Sequence, residues 1–245
     1  MTPLCLSQLN GDHTMASKHI VILTGAGISA QSGVRTFRDS GGLWEDHDIQ
    51  DVATPEAFAR NPALVQNFYD QRRQQVMAVQ PNAAHRALAC LQQAHSGSVT
   101  LITQNVDDLH ERAGARDVLH MHGELLRAYC RSCNARPAWH GTLADEPPCP
   151  HCAAPSLRPD VVWFGEMPYH MDAIEQALAA CDLFAAIGTS GEVHPAAGFV
   201  MQAAAAGART VELNLESSAV SKAFDEVHAG PAATTVPAWV EQLLG

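Results

Sequence analysis

Short apolar runs alternate along the chain with longer stretches whose apolar residues recur at helical spacing. Runs at 20–23, 99–102, 118–120, 183–187 and 210–213 have the length and β-branched content of buried strands. Between them, residues 62–79 put Leu64, Val65, Phe68, Tyr69 and Val76 on one side of a helix, and 83–93, 171–180, 195–206 and 237–244 repeat the pattern. Pro62, Pro195 and Pro237 fall where a first helical turn needs no backbone donor. Strands alternating with helices predict an α/β fold, a parallel sheet with crossover helices on both faces. The alternation breaks over 35–81 and again over 124–160, the second stretch being rich in Cys and Pro. These insertions are expected to meet as a small second domain over the carboxyl edge of the sheet. The division assigns 18–34, 83–122 and 161–245 to the sheet domain, 35–82 and 123–160 to the small domain, and 1–17 to a loose tail.

The first strand runs, through Thr24, into Gly25-Ala26-Gly27-Ile28-Ser29-Ala30. A strand, a glycine turn and a helix start make the phosphate site of a Rossmann-like sheet. The glycines are expected to take backbone angles closed to other residues and to let a pyrophosphate approach the main chain. A helix beginning near Ile28 would turn its free N–H groups toward that anion. Ala30 stands in the third glycine position, a permitted variant. The spacing by itself also fits an ordinary glycine turn.

Composition narrows the classes. At 245 residues and 47% hydrophobic content the chain is long enough for one large domain and a small one. Fifteen basic against 26 acidic residues give a net charge of −11, which argues against a nucleic-acid surface and suits lysine-bearing partners as well as plain solubility. The longest small-apolar run, 196–208, is interrupted by Gln202 and glycines and falls short of a membrane span, so a cytoplasmic protein with no membrane partner is expected. Four of the seven cysteines are paired: Cys130-x-x-Cys133 and Cys149-Pro-His-Cys152, fifteen residues apart. That is the spacing of a four-thiolate zinc ribbon, which leaves no open position for water and therefore predicts one structural zinc ion. His151, between two ligands, reads as a surface residue.

Four polar clusters directly follow strands, where open α/β sheets place ligands. Thr103-Gln104-Asn105-Val106-Asp107-Asp108 offers amides and a carboxylate for a ribose or a carboxamide, or else caps a helix. In His120-Met121-His122-Gly123-Glu124, histidines two apart share a strand face, and His122 is placed where a general base or a structural histidine would stand. Gly188-Thr189-Ser190-Gly191 suits a phosphate or ribose contact or a plain turn, and Asn214-Leu215-Glu216 suits ribose hydroxyls or an N-cap.

Taken in order, these motifs, with Phe37-Arg38 and Val161-Val162-Trp163-Phe164-Gly165-Glu166, resemble the sirtuins from about Ile20 to the C-terminus, and most closely the bacterial class III NAD-dependent protein deacylases. The resemblance implies that NAD, as co-substrate, is held around the turn by Gly25, Ala26, Gly27, Ser29, Ala30, Thr36, Phe37, Arg38 and Trp44. Its nicotinamide end would meet Gln104, Asn105, Val106 and Asp107. Its adenosine end would meet Gly188, Thr189, Ser190, Asn214, Leu215, Glu216 and Ala232. His122 is the implied base, with Asn105 and Asp107 completing the catalytic set. The acyl-lysine oxygen would capture the ribose carbon that nicotinamide leaves. His122 would then activate a ribose hydroxyl to give free lysine and 2′-O-acyl-ADP-ribose, with Phe37 shielding the intermediate. The peptide would lie extended along Val162, Trp163 and Phe164 and the Gly191, Glu192, Val193 loop by strand addition.

Tyr69-x-x-Arg72 coincides with a pair found in desuccinylating members. At i, i+3 on one helical face, a phenol and a guanidinium can hold a carboxylate that succinyl and malonyl carry and acetyl lacks; Arg73 is the neighbour to set aside. Gln31, Glu192 and the tail depart from the family pattern. Two rivals are a dehydrogenase with a structural zinc and a catalytically idle NAD or ADP-ribose sensor. The first lacks the acidic residue expected at the end of a second strand, and an intact Asn105, Asp107 and His122 speak against the second.

Overall fold

The structure, a computed structural model, describes residues 18–34, 43–44 and 47–245. The expected tail at 1–17 and the candidate residues Thr36, Phe37 and Arg38 lie outside the described residues, as does the side chain of Trp44. Ten strands are described. They are β1 (His19–Thr24), β2 (Leu43–Trp44), β3 (His47–Asp48), β4 (Ser98–Thr103), β5 (Leu119–His120), β6 (Gly123–Cys130), β7 (Leu157–Val161), β8 (Leu183–Ile187), β9 (Arg209–Asn214) and β10 (Glu226–Ala229). Among the described residues the α-helices are α1 (Ala26–Ser29), α2 (Ile49–Val52), α3 (Pro55–Arg60), α4 (Pro62–Ala78), α5 (Ala83–Ala94), α6 (Leu109–Arg112), α7 (Met171–Ala180), α8 (Phe199–Ala205) and α9 (Ala232–Leu244).

Six strands form one parallel sheet in the order β10-β9-β8-β1-β4-β5. Successive side chains of a strand point to opposite faces, and β1 divides its apolar residues accordingly. Ile20 and Ile22 pack with Leu88 and Leu91 of α5 and Val236 and Trp239 of α9. Val21 and Leu23 pack with Ile174 and Leu178 of α7 and Phe199 and Val200 of α8. Helices therefore cover both faces, as the alternation predicts. Chain order reverses between β1 and β8, so the carboxyl ends there open a crevice.

Several elements differ from the sequence reading. The helix expected over 195–206 begins as a 3-10 turn at Ala196–Gly198 and becomes α-helical only from Phe199. The last helix starts at Ala232, so Pro237 lies inside it rather than in its first turn. The Pro231 carbonyl, accepting from the Thr234 and Thr235 amides, builds that turn upstream of the proline. The stretch 124–160, read as poor in strands, contains most of an antiparallel pair, β6 with β7. Strand β7 carries Arg158, Pro159 and Asp160 in buried positions, a composition that hides a strand. Edge strand β10 was also invisible, because its residues are half-buried to exposed and show no apolar alternation.

Helix α4 buries two faces. Val65, Phe68, Tyr69 and Val76 join Val52, Leu125, Val161 and Trp163 in an apolar cluster. Gln66, Asp70 and Arg73, a polar stripe of the same helix, are also buried. Gln66 donates to the Leu157 carbonyl at 2.9 Å, and Arg73 donates to the Leu125 carbonyl at 2.9 Å and to that of Gly141 at 3.2 Å. Asp70 pairs with Arg73, accepts from the Thr142 hydroxyl, and accepts from the Leu143 and Ala144 amides at 2.8 and 3.0 Å. Burial pulls the Arg73 guanidinium below its ordinary range while Asp70 opposes that shift. Asp70→Ala would strand a buried cation, and is expected to cost about 3 kcal/mol, read as a lower urea midpoint at unchanged slope. A loss below about 0.5 kcal/mol would mean that the pair contributes no more than a surface one.

Candidate active site

The ends of β1, β4, β5, β8 and β9 all contribute to one cleft of about 670 Å³, closed on its other side by α4 and the segment after β7. At its floor, the Gly25 amide donates to the Ile187 carbonyl and the Gly27 amide to the Gly188 carbonyl, both at 2.9 Å. Gly25 has φ −125 and ψ −172, an extended conformation open to any residue, so the expectation of closed backbone angles fails there. What requires glycine is a second turn. A Cβ on Gly25 would stand 2.7 Å from the Gly188 oxygen, and one on Gly27 2.7 Å from the Gly188 Cα. Gly188 does take a left-handed φ of +64. The helix starts at Ala26 rather than near Ile28, and α1 is a single turn continued by a 3-10 turn at Ala30–Ser32.

Asn105 and Asp107 line the cleft and act as structural ties at once. The Asn105 amide nitrogen donates to the Gly25 carbonyl and to the Ser29 hydroxyl, each at 3.1 Å, which leaves its Oδ1 outside both bonds in a residue that lines the cleft. Asp107 accepts from the Ser29 hydroxyl at 3.0 Å and from the Leu109 amide at 3.2 Å, so it caps α6 as well. Burial pushes its carboxyl above the ordinary range, and those two hydrogen bonds oppose the shift. Behind Ser29 stands His85, a residue of α5 that sequence reasoning missed. Its Nδ1 accepts from the Asn82 amide at 3.3 Å and its Nε2 lies 3.4 Å from the Ser29 oxygen. Burial brings His85 down to about 4, so it is neutral and carries its proton on Nε2.

The two histidines do not share a face, because β5 ends at His120. His120 is buried, with Nδ1 3.2 Å from the Asn105 carbonyl and Nε2 2.8 Å from the Glu111 carboxylate. Both partners accept, so the ring is a double donor. Burial lowers its basicity, but Glu111 outweighs burial and the net shift is upward. His122 lines the cleft, and its Nδ1 lies 3.1 Å from the Gln104 carbonyl. A carbonyl only accepts, so Nδ1 carries the proton and Nε2 keeps a lone pair. Burial holds His122 below the ordinary histidine value, the Gln104 carbonyl partly offsetting it. It is thus the neutral, basic form at neutral pH.

At one end of the cleft, Asn214 donates to the Thr189 carbonyl at 2.6 Å, and Thr189, Ser190, Leu215, Glu216 and Ala232 share the wall. Gln31 accepts from the Ala233 amide at 2.8 Å, a role that a glutamate would fill equally. At the other end, Tyr69 and Arg72 enter the wall beside Val162, Trp163 and Phe164. Arg73 is turned away into the ties described above. The amides of Val162, Trp163 and Phe164 donate to the His122 carbonyl, the Glu166 carboxylate and the Ala53 carbonyl, so a strand added there would have to rely on carbonyls rather than on those amides. Glu192 and Val193 line the cleft; Gly191 does not, and a Cβ there would stand 2.7 Å from Val220 Cγ2, on a backbone with φ +71. Val76, Leu125 and Glu166 were missed. Val76 was legible, since Tyr69, Arg72 and Val76 form an i, i+3, i+7 stripe.

The four paired cysteines converge, with every Sγ within 4.8 Å of the others. Cys130 and Cys152 are 3.7 Å apart and Cys133 and Cys149 3.8 Å apart, which match the edge of about 3.8 Å expected for a tetrahedron with Zn–S bonds near 2.3 Å. Each knuckle ends on a left-handed residue, Asn134 and Ala153, both at φ 59. The donor set fits zinc. His151 is exposed and outside it.

A cleft at the switch point of a parallel sheet, floored by a glycine turn, is the arrangement of an α/β nucleotide-binding protein, and the same chain brings four cysteines together in a set that could hold a metal ion. The chain belongs to the Sir2 family, whose sequence description it matches over residues 25–195. It is 56% identical over 233 residues to an NAD-dependent protein deacylase of Salmonella typhimurium, covering 94% of this chain and 85% of that one. It is 56% identical over 230 residues to one of Bdellovibrio bacteriovorus, covering 93% and 97%. Among solved structures, a Sir2 homologue–NAD complex superposes with a TM-score of 0.86 at 36% identity, over 97% of this chain and 98% of that one. A Sir2 bound to acetylated peptide gives 0.80 at 27%, over 92% and 93%. Among the described residues no helix is long and apolar enough to cross a membrane.

Proposed function

We propose that this protein removes succinyl, malonyl and acetyl groups from protein lysines in the cytoplasm, consuming NAD and releasing nicotinamide, 2′-O-acyl-ADP-ribose and free lysine. The observation that carries the reading is the continuity of one cleft from the glycine turn, past His122, to Tyr69 and Arg72. The relatives named NAD-dependent protein deacylases and the neighbours in complex with NAD and with acetylated peptide support it. Bound NAD supplies an electrophilic ribose carbon once nicotinamide has left. Asn105 offers its Oδ1 to the coenzyme while its amide protons hold the turn shut. Nε2 of His122 takes the proton of a ribose hydroxyl, and the Gln104 carbonyl holds the ring in the tautomer that leaves this nitrogen free. Arg72 and Tyr69 hold the distal carboxylate of an acidic acyl group. One zinc ion on Cys130, Cys133, Cys149 and Cys152 is structural, since four thiolates leave no position for substrate. In this reading the small domain comprises 35–82 and 123–160, with the sheet domain as divided above.

The test is a mass-spectrometric comparison of succinyl-lysine and acetyl-lysine peptides with NAD. Tyr69→Phe with Arg72→Met removes a charge-assisted contact and is expected to lower kcat/KM for the succinyl peptide roughly 100-fold, against a few-fold for acetyl. Equal losses on both would remove the acidic-acyl assignment. Intact NAD after incubation with either peptide would remove deacylation altogether.

A further inference from the structure

We infer that Glu192 selects peptides with basic residues beside the acyl-lysine, so that the partners this cleft prefers are basic segments of proteins. The inference rests on the deacylase reading above and adds to it the charge of the sequence around the modified lysine. Histidines aside, the charged residues lining the cleft among the described residues are Arg72, Asp107, Glu166, Glu192 and Glu216. Asp107 is buried and tied to Ser29 and Leu109. The Glu166 carboxylate is taken up by the Arg158 guanidinium at 2.8 Å and the Trp163 amide at 2.9 Å. Arg72 is buried in the wall at the acyl end. Glu192 and Glu216 remain, both exposed and neither in an ion pair among the described residues. Glu216 stands with Asn214, Leu215 and Ala232, at the end read above as the place of adenosine. Glu192 stands on the loop after β8, across the cleft from the segment after β7. A peptide that carries its lysine between these two walls passes Glu192 and not Glu216.

The backbone holds this charge at the mouth. The Glu192 amide donates to the Ser190 hydroxyl at 3.2 Å, the Ser190 carbonyl accepts from the Ala219 amide at 3.0 Å, and the Val193 carbonyl accepts from the Ala197 amide at 2.9 Å. Between Ser190 and Glu192, Gly191 passes so close to Val220 that a side chain there would collide with it. Glu192 therefore sits on a turn anchored on both sides, and its carboxylate spends little entropy in meeting a cation. An exposed pair of this kind is worth a few-fold in affinity and weakens with salt. The net charge of −11 adds a background that draws cations to the whole molecule. The background acts on encounter from any side, whereas Glu192 acts on residues next to the bound lysine, and the two are separable by experiment.

The experiment compares two acetyl-lysine peptides that differ only in having Arg or Glu on either side of the modified lysine, with NAD saturating, in buffer of low ionic strength. Arginine supplies the cation without offering a second lysine. The ratio of kcat/KM for the Arg peptide to that for the Glu peptide is expected to be about 10-fold in the parent and to shrink toward a few-fold at high salt. Glu192→Gln should lower the low-salt ratio about 3-fold through the peptide KM, and Glu192→Lys should lower it further. Glu216→Gln removes the same net charge at the other end of the cleft and should leave the ratio within the error of the parent. A parent ratio near 1, a ratio unmoved by Glu192→Gln, or an equal fall in Glu216→Gln overturns the inference, the last by assigning the preference to the overall field. A parent enzyme that deacylates neither peptide and leaves NAD intact would instead remove the deacylase reading beneath it.

Discussion

His122→Asn is expected to lower deacylation of any acyl-lysine peptide by at least about 100-fold while NAD still binds within a few-fold of the parent affinity. Asparagine can still donate to the Gln104 carbonyl from about the place of Nδ1, but it has no lone pair of useful basicity where Nε2 stands. The loss would therefore fall on proton abstraction and not on the shape of the cleft. Calorimetric titration with NAD and a single-turnover assay with acyl peptide separate the two. A variant that turned over at the parent rate would show that another group takes the proton. Asp107 is a poor substitute, because both of its oxygens accept hydrogen bonds and burial favours its protonated form.

The pH profile follows from the same site. A base works when unprotonated, and burial depresses His122 below the ordinary value near 6.5. The neutral form then persists to lower pH, so kcat/KM should rise with pH along an acid limb centred below about 6.5 and be level by neutrality. An acid limb centred above 7 would contradict a desolvated, neutral His122. His120 shifts in the other direction, since Glu111 stabilises its charged form. A limb that moved downward in Glu111→Gln would therefore belong to His120 rather than to His122.

The sheet was legible because its strands are buried on both faces and read as apolar runs, as in 20–23 and 183–187. The glycine turn was legible in place but not in cause. Sequence supplied a reason in backbone angles, whereas the requirement is the approach of Gly25 and Gly27 to Gly188, a contact between turns some 160 residues apart. The helix carrying Tyr69 and Arg72 was found by its apolar side alone. Its polar stripe of Gln66, Asp70 and Arg73 carries no local sign that another segment's backbone will satisfy it. For Asn105 and Asp107, capping and ligand binding were alternatives in sequence. In three dimensions the same residues make the ties and border the cleft. Arg158 was missed for a similar reason, since a charged residue beside a proline does not read as a strand that clamps a tryptophan.

Removing the metal, by a strong chelator or by Cys130→Ala, is expected to have the largest effect on stability. The apolar cluster at the cysteines consists of Ala128, Cys130, Leu143, Cys149 and Leu157, with Ala135 and Trp139 against it. So small a core does little to offset the entropy of ordering the intervening chain, and in the proposed reading the thiolate–metal bonds of the zinc ion would supply the difference. Zinc binding in isolated fingers is worth about 10–16 kcal/mol. Losing even a few of these should lower the melting temperature by roughly 10 °C at this chain length. The damage would spread, because Leu143 and Ala144 donate to Asp70 and thereby hold the polar face of α4. Loosening them releases the helix that carries Tyr69 and Arg72, so partial chelation should erode succinyl turnover before acetyl turnover. Metal analysis giving one zinc per chain, with melting curves before and after chelation, tests the sequence of events. Superimposable curves and a metal-free, fully active protein would reduce the four sulfurs to a coincidence of packing.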